Sequence, residues 1–179
     1  AGGYVLWEKD EQYRSLAMGN NGKKKIAWLY SHLQFWTGGT RFIIEVAKRL
    51  QRYYDVKIIV EKVSPEIKKE FERNGVTIEE ISFLTSTSLL YWLLLPWMLR
   101  MNERRIRQET DDADVIIAGI FPMNVVAAKL NKPVIQNCWE PFAFFYDRNT
   151  IKGFVFYKRI LMRILSSLYS RWDIAATRK

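Results

Sequence analysis

Short apolar stretches alternate with amphipathic ones about six times along this chain, and no other feature limits its fold as strongly. Ile26-Ala27-Trp28-Leu29-Tyr30 reads as a buried strand, and Ser31 to Gly39 as the loop after it. Arg41 to Tyr53 reads as a helix, with Phe42, Ile43, Val46, Ala47 and Leu50 at helical spacing. Asp55 to Val60 is a second strand. Ser64-Pro65-Glu66 then opens a short helix, with Ser64 as its cap and Pro65 in its first turn, and Asn74-Gly75 stops it. Val76 to Ile81 is a third strand, and Ser88 to Gln108 a long helix with a kink expected at Pro96. Asp114 to Ala118, Met123 to Leu130 and Pro133 to Asn137 continue the pattern as strand, helix and strand. Ile151 to Arg171 is a long amphipathic helix, and Asp173 to Ala176 is expected as a last strand.

Strands separated by helices pair in parallel through right-handed crossovers, which puts helices on both faces of the sheet. Near-continuous apolar strands agree with a sheet covered on both sides. The predicted fold is α/β, a Rossmann-like three-layer parallel sheet. The 179 residues suffice for one domain of ordinary size, and 49% apolar content suffices for a real core. Residues 1–22 read as a flexible lead-in or an expression remnant, and 23–179 as the domain. No secretory signal is visible, because Ala1 to Leu16 mixes charges and aromatics.

In open parallel sheets a ligand sits outside the carboxyl ends of the strands. Three segments converge there: Ser31 to Arg41, Gly119 to Asn124, and Cys138 to Phe142. Gly38-Gly39 directly precedes a helix, where glycine lets a backbone approach phosphate and the helix start offers free N–H donors. Arg41 adds charge. The same pair also reads as a turn that merely connects strand and helix. His32, at the end of the first strand, is a candidate for an acceptor hydroxyl, or a hydrogen-bonded loop histidine. Glu140 beside Trp139 is a candidate carboxylate and stacking face for a sugar, or a loop-ordering pair. Asp147 is a weaker candidate of the same kind, and Asn124 belongs to the second segment. No Gly-x-Gly-x-x-Gly, P-loop or multi-cysteine pattern is present. One histidine and one cysteine, Cys138, argue against a metal site. A catalytic residue is not identifiable.

The segments Lys25-Ile26-Ala27-Trp28-Leu29, Thr37-Gly38-Gly39-Thr40-Arg41, Glu45-Val46-Ala47-Lys48-Arg49-Leu50 and Asp55-Val56-Lys57-Ile58 together resemble the opening of family 4 glycosyltransferases with the GT-B fold. Asp114 to Ala118, Ala127 to Ile135 and Asp173 to Thr177 resemble later blocks of the same domain. The resemblance implies an amino-terminal acceptor-side domain of a nucleotide-sugar-dependent hexosyltransferase. Its Gly38-Gly39 loop, with Arg41, would face the donor diphosphate, and His32, Asn124, Trp139 and Glu140 would lie on the acceptor side. It further implies a nucleotide-sugar as co-substrate, no cofactor, no metal, and retention of anomeric configuration. A second, donor-binding domain would complete the enzyme, so the fragment alone is expected to be inactive. That family often carries His-Asp or His-Glu after the fifth strand, where this chain has Trp139-Glu140.

The formal charge of +9 points to an anionic partner. Leu89 to Leu99 is the longest apolar run, broken by Pro96, and is too short to span a bilayer, which takes about 20 residues. It is followed by Arg100, Arg104, Arg105 and Arg107. Trp92, Trp97, Arg100, Arg104 and Arg105 are therefore expected to contact an anionic membrane surface, which suits a lipid-linked or glycan acceptor and places the protein in the cytoplasm, peripheral on the inner face of the membrane. From Arg148 to Trp172 there are six basic residues and no acidic one. The apolar face of that later helix (Tyr157, Ile160, Leu161, Ile164, Leu165, Leu168) is expected to pack on the sheet. A stand-alone Rossmann-like binding or scaffold domain is the alternative. A nucleic-acid module is the weaker one, since most aromatics fall within apolar runs rather than beside basic residues.

Overall fold

The computed structural model describes residues 18–19, 22–81, 89–137, 143–147, 149 and 152–178. A short antiparallel pair, Met18–Gly19 with Gly22–Lys23, precedes the main unit. That unit runs β1 (Lys25–Leu33), α1 (Gly38–Leu50), β2 (Asp55–Val63), α2 (Pro65–Arg73), β3 (Thr77–Glu80), α3 (Leu89–Glu109), β4 (Val115–Ala118), α4 (Met123–Ala127), β5 (Val134–Gln136), α5 (Ala143–Tyr146) and α6 (Phe156–Thr177). The five strands form one sheet in the spatial order β3-β2-β1-β4-β5, and every pairing is parallel.

Side chains alternate across each strand and so feed two cores. Ile26 and Trp28 of β1 and Val56, Ile58 and Val60 of β2 face one side, where they pack with Ile43, Ile44 and Ala47 of α1 and Ile67 and Phe71 of α2. Ala27 and Leu29 of β1, Ile59 of β2 and Ile116 and Ala118 of β4 face the other. They meet Tyr91, Leu95 and Met98 of α3, Val125 and Val126 of α4, and Met162, Leu165 and Tyr169 of α6. The result is the predicted three-layer α/β arrangement. Ser64 caps α2 by accepting from the Ile67 amide at 3.3 Å, with Pro65 at the first helical position. Gly75 follows the helix at φ 70°, a conformation that strongly favours glycine.

Two expectations fail here. Asp173-Ile174-Ala175-Ala176 is not a strand but the last turn of α6. The buried Leu165 and Tyr169 are followed at helical spacing by the partly buried Trp172 and Ala176, which pack against the same core as Tyr169. Tertiary packing thus outweighs the short apolar pattern. Residues 31–33 also belong to β1 rather than to the following loop, because Ser64 donates its backbone amide to the Leu33 carbonyl at 3.0 Å and the ladder with β2 continues to Leu33↔Val63. Pro96 lies inside α3 without ending it.

Gly119, directly after β4, donates to the Leu29 carbonyl at 2.8 Å. A methyl group there would lie 2.6 Å from Tyr30 Cδ2 and 3.3 Å from the Leu29 carbonyl oxygen. The β4 exit at Gly119 therefore lies close against one edge of the Tyr30 ring. Gly119→Ala is expected to cost about 1–3 kcal/mol through overpacking, which lowers the melting temperature by roughly 2–4 °C per kcal/mol in a domain of this size. Thermal denaturation followed by circular dichroism checks this, and the loss should shrink when Tyr30→Ala is added. An unchanged melting temperature would refute the steric role.

Candidate functional site

The connection from β3 returns through α3 to β4 on the far side of β1, so crossovers from β1 and β4 leave in opposite directions. The switch point of the sheet lies between these neighbouring strands. At their carboxyl ends, residues 34–37 lead from β1 into α1, and residues 119–122 lead from β4 into α4. These are two of the three segments that the sequence brings to one rim.

Thr37 is the cap of α1. Its backbone is extended (φ −115°, ψ 171°) and its hydroxyl accepts from the Thr40 amide at 3.2 Å. Thr40 is buried and donates its own hydroxyl to the Phe35 carbonyl at 2.8 Å, which fixes the approach of the chain into the helix. Gly38 and Gly39 are then the first two helical residues, and Arg41 the fourth. Helix starts carry amide groups with no intrahelical partner and a partial positive charge. No acidic side chain neutralises this one in its first turn. A methyl group on Gly38 would meet nothing within 4 Å, so this chain leaves open space against that backbone. Arg41 is exposed. Gly38, Gly39 and Arg41 thus sit together at the helix start.

His32 lies in β1 opposite Lys62 of β2, half-buried, and burial holds its pKa below the usual imidazole value. Asn124, in the first turn of α4, is buried. Its Nδ2 donates to Asp173 Oδ1, and its Oδ1 accepts from the Val125 amide at 2.9 Å. Asp173 Oδ2 accepts from the Tyr146 hydroxyl at 3.0 Å. One carboxylate therefore joins α4, α5 and α6 beneath the rim. Trp139 and Glu140, with the rest of Cys138 to Phe142, lie outside the described residues. Among the described residues no three or more His, Cys, Asp or Glu side chains gather as a metal site.

Two polar groups at this end of the sheet were not singled out by sequence reasoning. Glu61 and Ser31 are each 2% exposed, on adjacent parallel strands and on the α3 side. Glu61 Oε2 accepts from the Tyr91 hydroxyl at 2.8 Å, while Glu61 Oε1 and Ser31 Oγ lack partners among the described residues. A charged carboxylate is costly in such surroundings. Burial raises the Glu61 pKa to about 7, against a smaller lowering by the Tyr91 hydrogen bond. The signal was present in the strand: a glutamate two residues after Ile59 must share its face.

The membrane candidates divide. Trp92 is 5% exposed and packs edge-on to Tyr91 at 5.2 Å, and its carbonyl accepts from the Tyr169 hydroxyl at 2.6 Å. Its expected membrane contact is therefore corrected: the indole belongs to the core. Trp97 is 54% exposed, in one outward row with Leu90, Leu93 and Met101, and Arg100, Arg104 and Arg105 are exposed beside it. The expectation for the later helix holds for Leu161 and Leu165, which pack on the core, and is corrected for the other four residues. Tyr157, Ile160, Ile164 and Leu168 are exposed. The buried row of α6 is Met162, Leu165, Ser166 and Tyr169, because Tyr169 turns inward to place its hydroxyl on α3. Among the described residues no helix is long and apolar enough to cross a membrane.

No protein-family model and no curated protein matches the chain. Solved structures with a similar fold include a glycosyltransferase from Rickettsia africae (21% identity, TM-score 0.48, 64% of this chain and 29% of that one). Anabaena HepE in complex with UDP and glucose is another (17%, TM-score 0.46, 63% and 29%). A carboxy-terminal domain of a Pyrococcus furiosus hydrogenase is a third (15%, TM-score 0.45, 64% and 91%). The chain spans about 29% of the length of either glycosyltransferase.

The unfolded Glu61 carboxyl titrates near 4.5 and the folded one near 7. Between these values the folded state holds a proton that the unfolded state has released. Stability from this group is therefore full below about pH 4.5 and is lost as pH rises through 7. Chemical denaturation of Glu61→Gln, measured from pH 5 to 8, should show a flatter pH dependence than the parent. Parallel curves would remove Glu61 as the titrating group.

Proposed function

We propose that the chain is the amino-terminal, acceptor-side domain of a nucleotide-sugar-dependent glycosyltransferase of the GT-B type, related to family 4. The observation that carries this reading is the switch point between β1 and β4, where the uncompensated start of α1 opens onto free space at Gly38. A diphosphate fits such a place, because it needs unpaired amides, positive potential and a backbone without side chains. Arg41 adds a charge at the same turn. A nucleotide-sugar is held chiefly by a second domain across the crevice, and this chain supplies the wall on the acceptor side. The transferred group is a hexose, and neither metal nor cofactor takes part. His32, Trp139 and Glu140 meet the acceptor, and Asn124 orders the rim beside it through Asp173. The acceptor is a glycan or a lipid-linked species.

Membrane docking belongs to the same reading. The outward rows of α3 and α6 expose Leu93, Trp97, Met101, Ile160 and Ile164 among arginines. Apolar rows with a basic surround lie stably in the interface of an anionic bilayer. The protein accordingly works as a peripheral protein on the cytoplasmic face.

Gly38→Asp separates fold from function. A carboxylate at a helix start stabilises the helix by about 0.3–1 kcal/mol, so the melting temperature should hold or rise slightly. The same charge should weaken binding of UDP, GDP or inorganic pyrophosphate, read by calorimetry, about tenfold. Unchanged affinity would move the anion site elsewhere. The chain alone, given UDP-, GDP- and ADP-hexoses with a membrane lipid extract, should transfer no sugar. Turnover by this chain alone contradicts the division between two domains.

For the surface, sedimentation with phosphatidylglycerol vesicles should exceed that with phosphatidylcholine and fall as salt rises. Each basic residue near an anionic surface contributes about 1 kcal/mol, so Arg104→Glu with Arg105→Glu should reduce partitioning at least tenfold. Equal partitioning onto both lipids refutes anionic docking.

A further inference from the structure

A pocket of about 360 Å³ opens between α3, α4 and α6. Its walls are mainly apolar: Pro96 and Leu99 from α3, Val125 from α4, Trp172 from α6. Arg100, Glu103 and Lys129 stand around it. Glu103 is already matched, taking Arg107 at 2.9 Å and Lys129 at 3.7 Å, and these cations hold its carboxyl below the usual range. Arg100 makes no ion pair or hydrogen bond among the described residues. Two cations, Arg100 and Lys129, thus stand with one carboxylate at the lip of an apolar cavity, and Arg100 supplies the excess charge.

We propose that this pocket takes a single anionic phospholipid, with the phosphate on Arg100 and the upper part of one acyl chain against Leu99, Val125 and Trp172. The inference rests on the membrane reading above and adds a discrete site to it. Three features point to this occupant. The volume is that of a small-ligand site. An unpaired guanidinium recognises phosphate well. Arg100 also borders the exposed row Leu93, Trp97 and Met101, so a lipid in the pocket would stay continuous with a bilayer on that row.

Surface docking and pocket binding separate with monomeric lipid. Dihexanoylphosphatidylglycerol, titrated below its micelle concentration by calorimetry, should bind one-to-one and saturably, and dihexanoylphosphatidylcholine should bind at least tenfold more weakly. Arg100→Glu, an exposed position, should weaken the anionic lipid about tenfold or more. Ala175→Trp, which fills the pocket from its exposed wall, should abolish monomer binding and leave sedimentation with phosphatidylglycerol vesicles in place. If Ala175→Trp fails to fold by circular dichroism, Arg100→Glu carries the test. No saturable monomer binding by a chain that still sediments with vesicles overturns the pocket and spares the surface. Equal binding of both monomers also overturns it. Failure to bind monomers and vesicles alike overturns both.

Discussion

The central strand is the constraint on which the rest of this molecule depends. β1 is hydrogen-bonded in parallel on both edges, to β2 on one side and β4 on the other. Parallel pairing cannot be closed by a hairpin, so each neighbour must be reached through a helix. With β1 central, α1 and α2 fall on one face and α3, α4 and α6 on the other. The carboxyl ends of β1 and β4 then lie side by side and their connections diverge. A crevice at that place follows from topology before any residue in it is chosen. What the sequence adds is chemistry: glycine without a neighbour at Gly38, and glycine pressed against a ring at Gly119.

The two glycines show why residue type alone did not reveal role. Gly38 opens α1 and Gly119 follows β4, both at the same rim. Gly119 is required by Tyr30 and the Leu29 carbonyl, so its presence is explained inside the chain. Gly38 has an ordinary backbone and empty surroundings, so nothing within the chain calls for it. Only coordinates separate a packing glycine from one that leaves room for a ligand.

The layered architecture was legible because strand periodicity and crossover rules act locally and agree with one another. The Ser64 cap, the Pro65 start and the Gly75 stop were readable for the same reason. Asp173 to Ala176 was misread because four residues carry too little pattern to outvote the helix before them. Their state is set by Trp172 and Ala176 reaching a core formed elsewhere in the chain. The burial of Trp92 was equally illegible. Trp92 and Trp97 share one apolar run, and which of them turns inward depends on Tyr169, some eighty positions later in the chain. For the candidate site, the sequence placed the start of α1 and the exit of β4 together. It could not say that the Asn124 carboxamide is held by Asp173, since that bond joins residues 49 positions apart.

Asp173 links the two surfaces on which a function can be built. It accepts from Asn124 at the rim and from Tyr146 of α5, and it sits on α6, whose opposite side exposes Ile160, Ile164 and Leu168. A buried or half-buried carboxylate with two donors is stiff, because loss of either leaves an oxygen unsatisfied. The helix that faces outward therefore cannot slide along its axis without disturbing the first turn of α4. α3 is tied to the same helix through the Tyr169 hydroxyl on the Trp92 carbonyl, and Tyr91, next to Trp92, holds the buried Glu61 of β2. The outward helices and the strand ends are thus connected by short polar contacts set in an apolar layer.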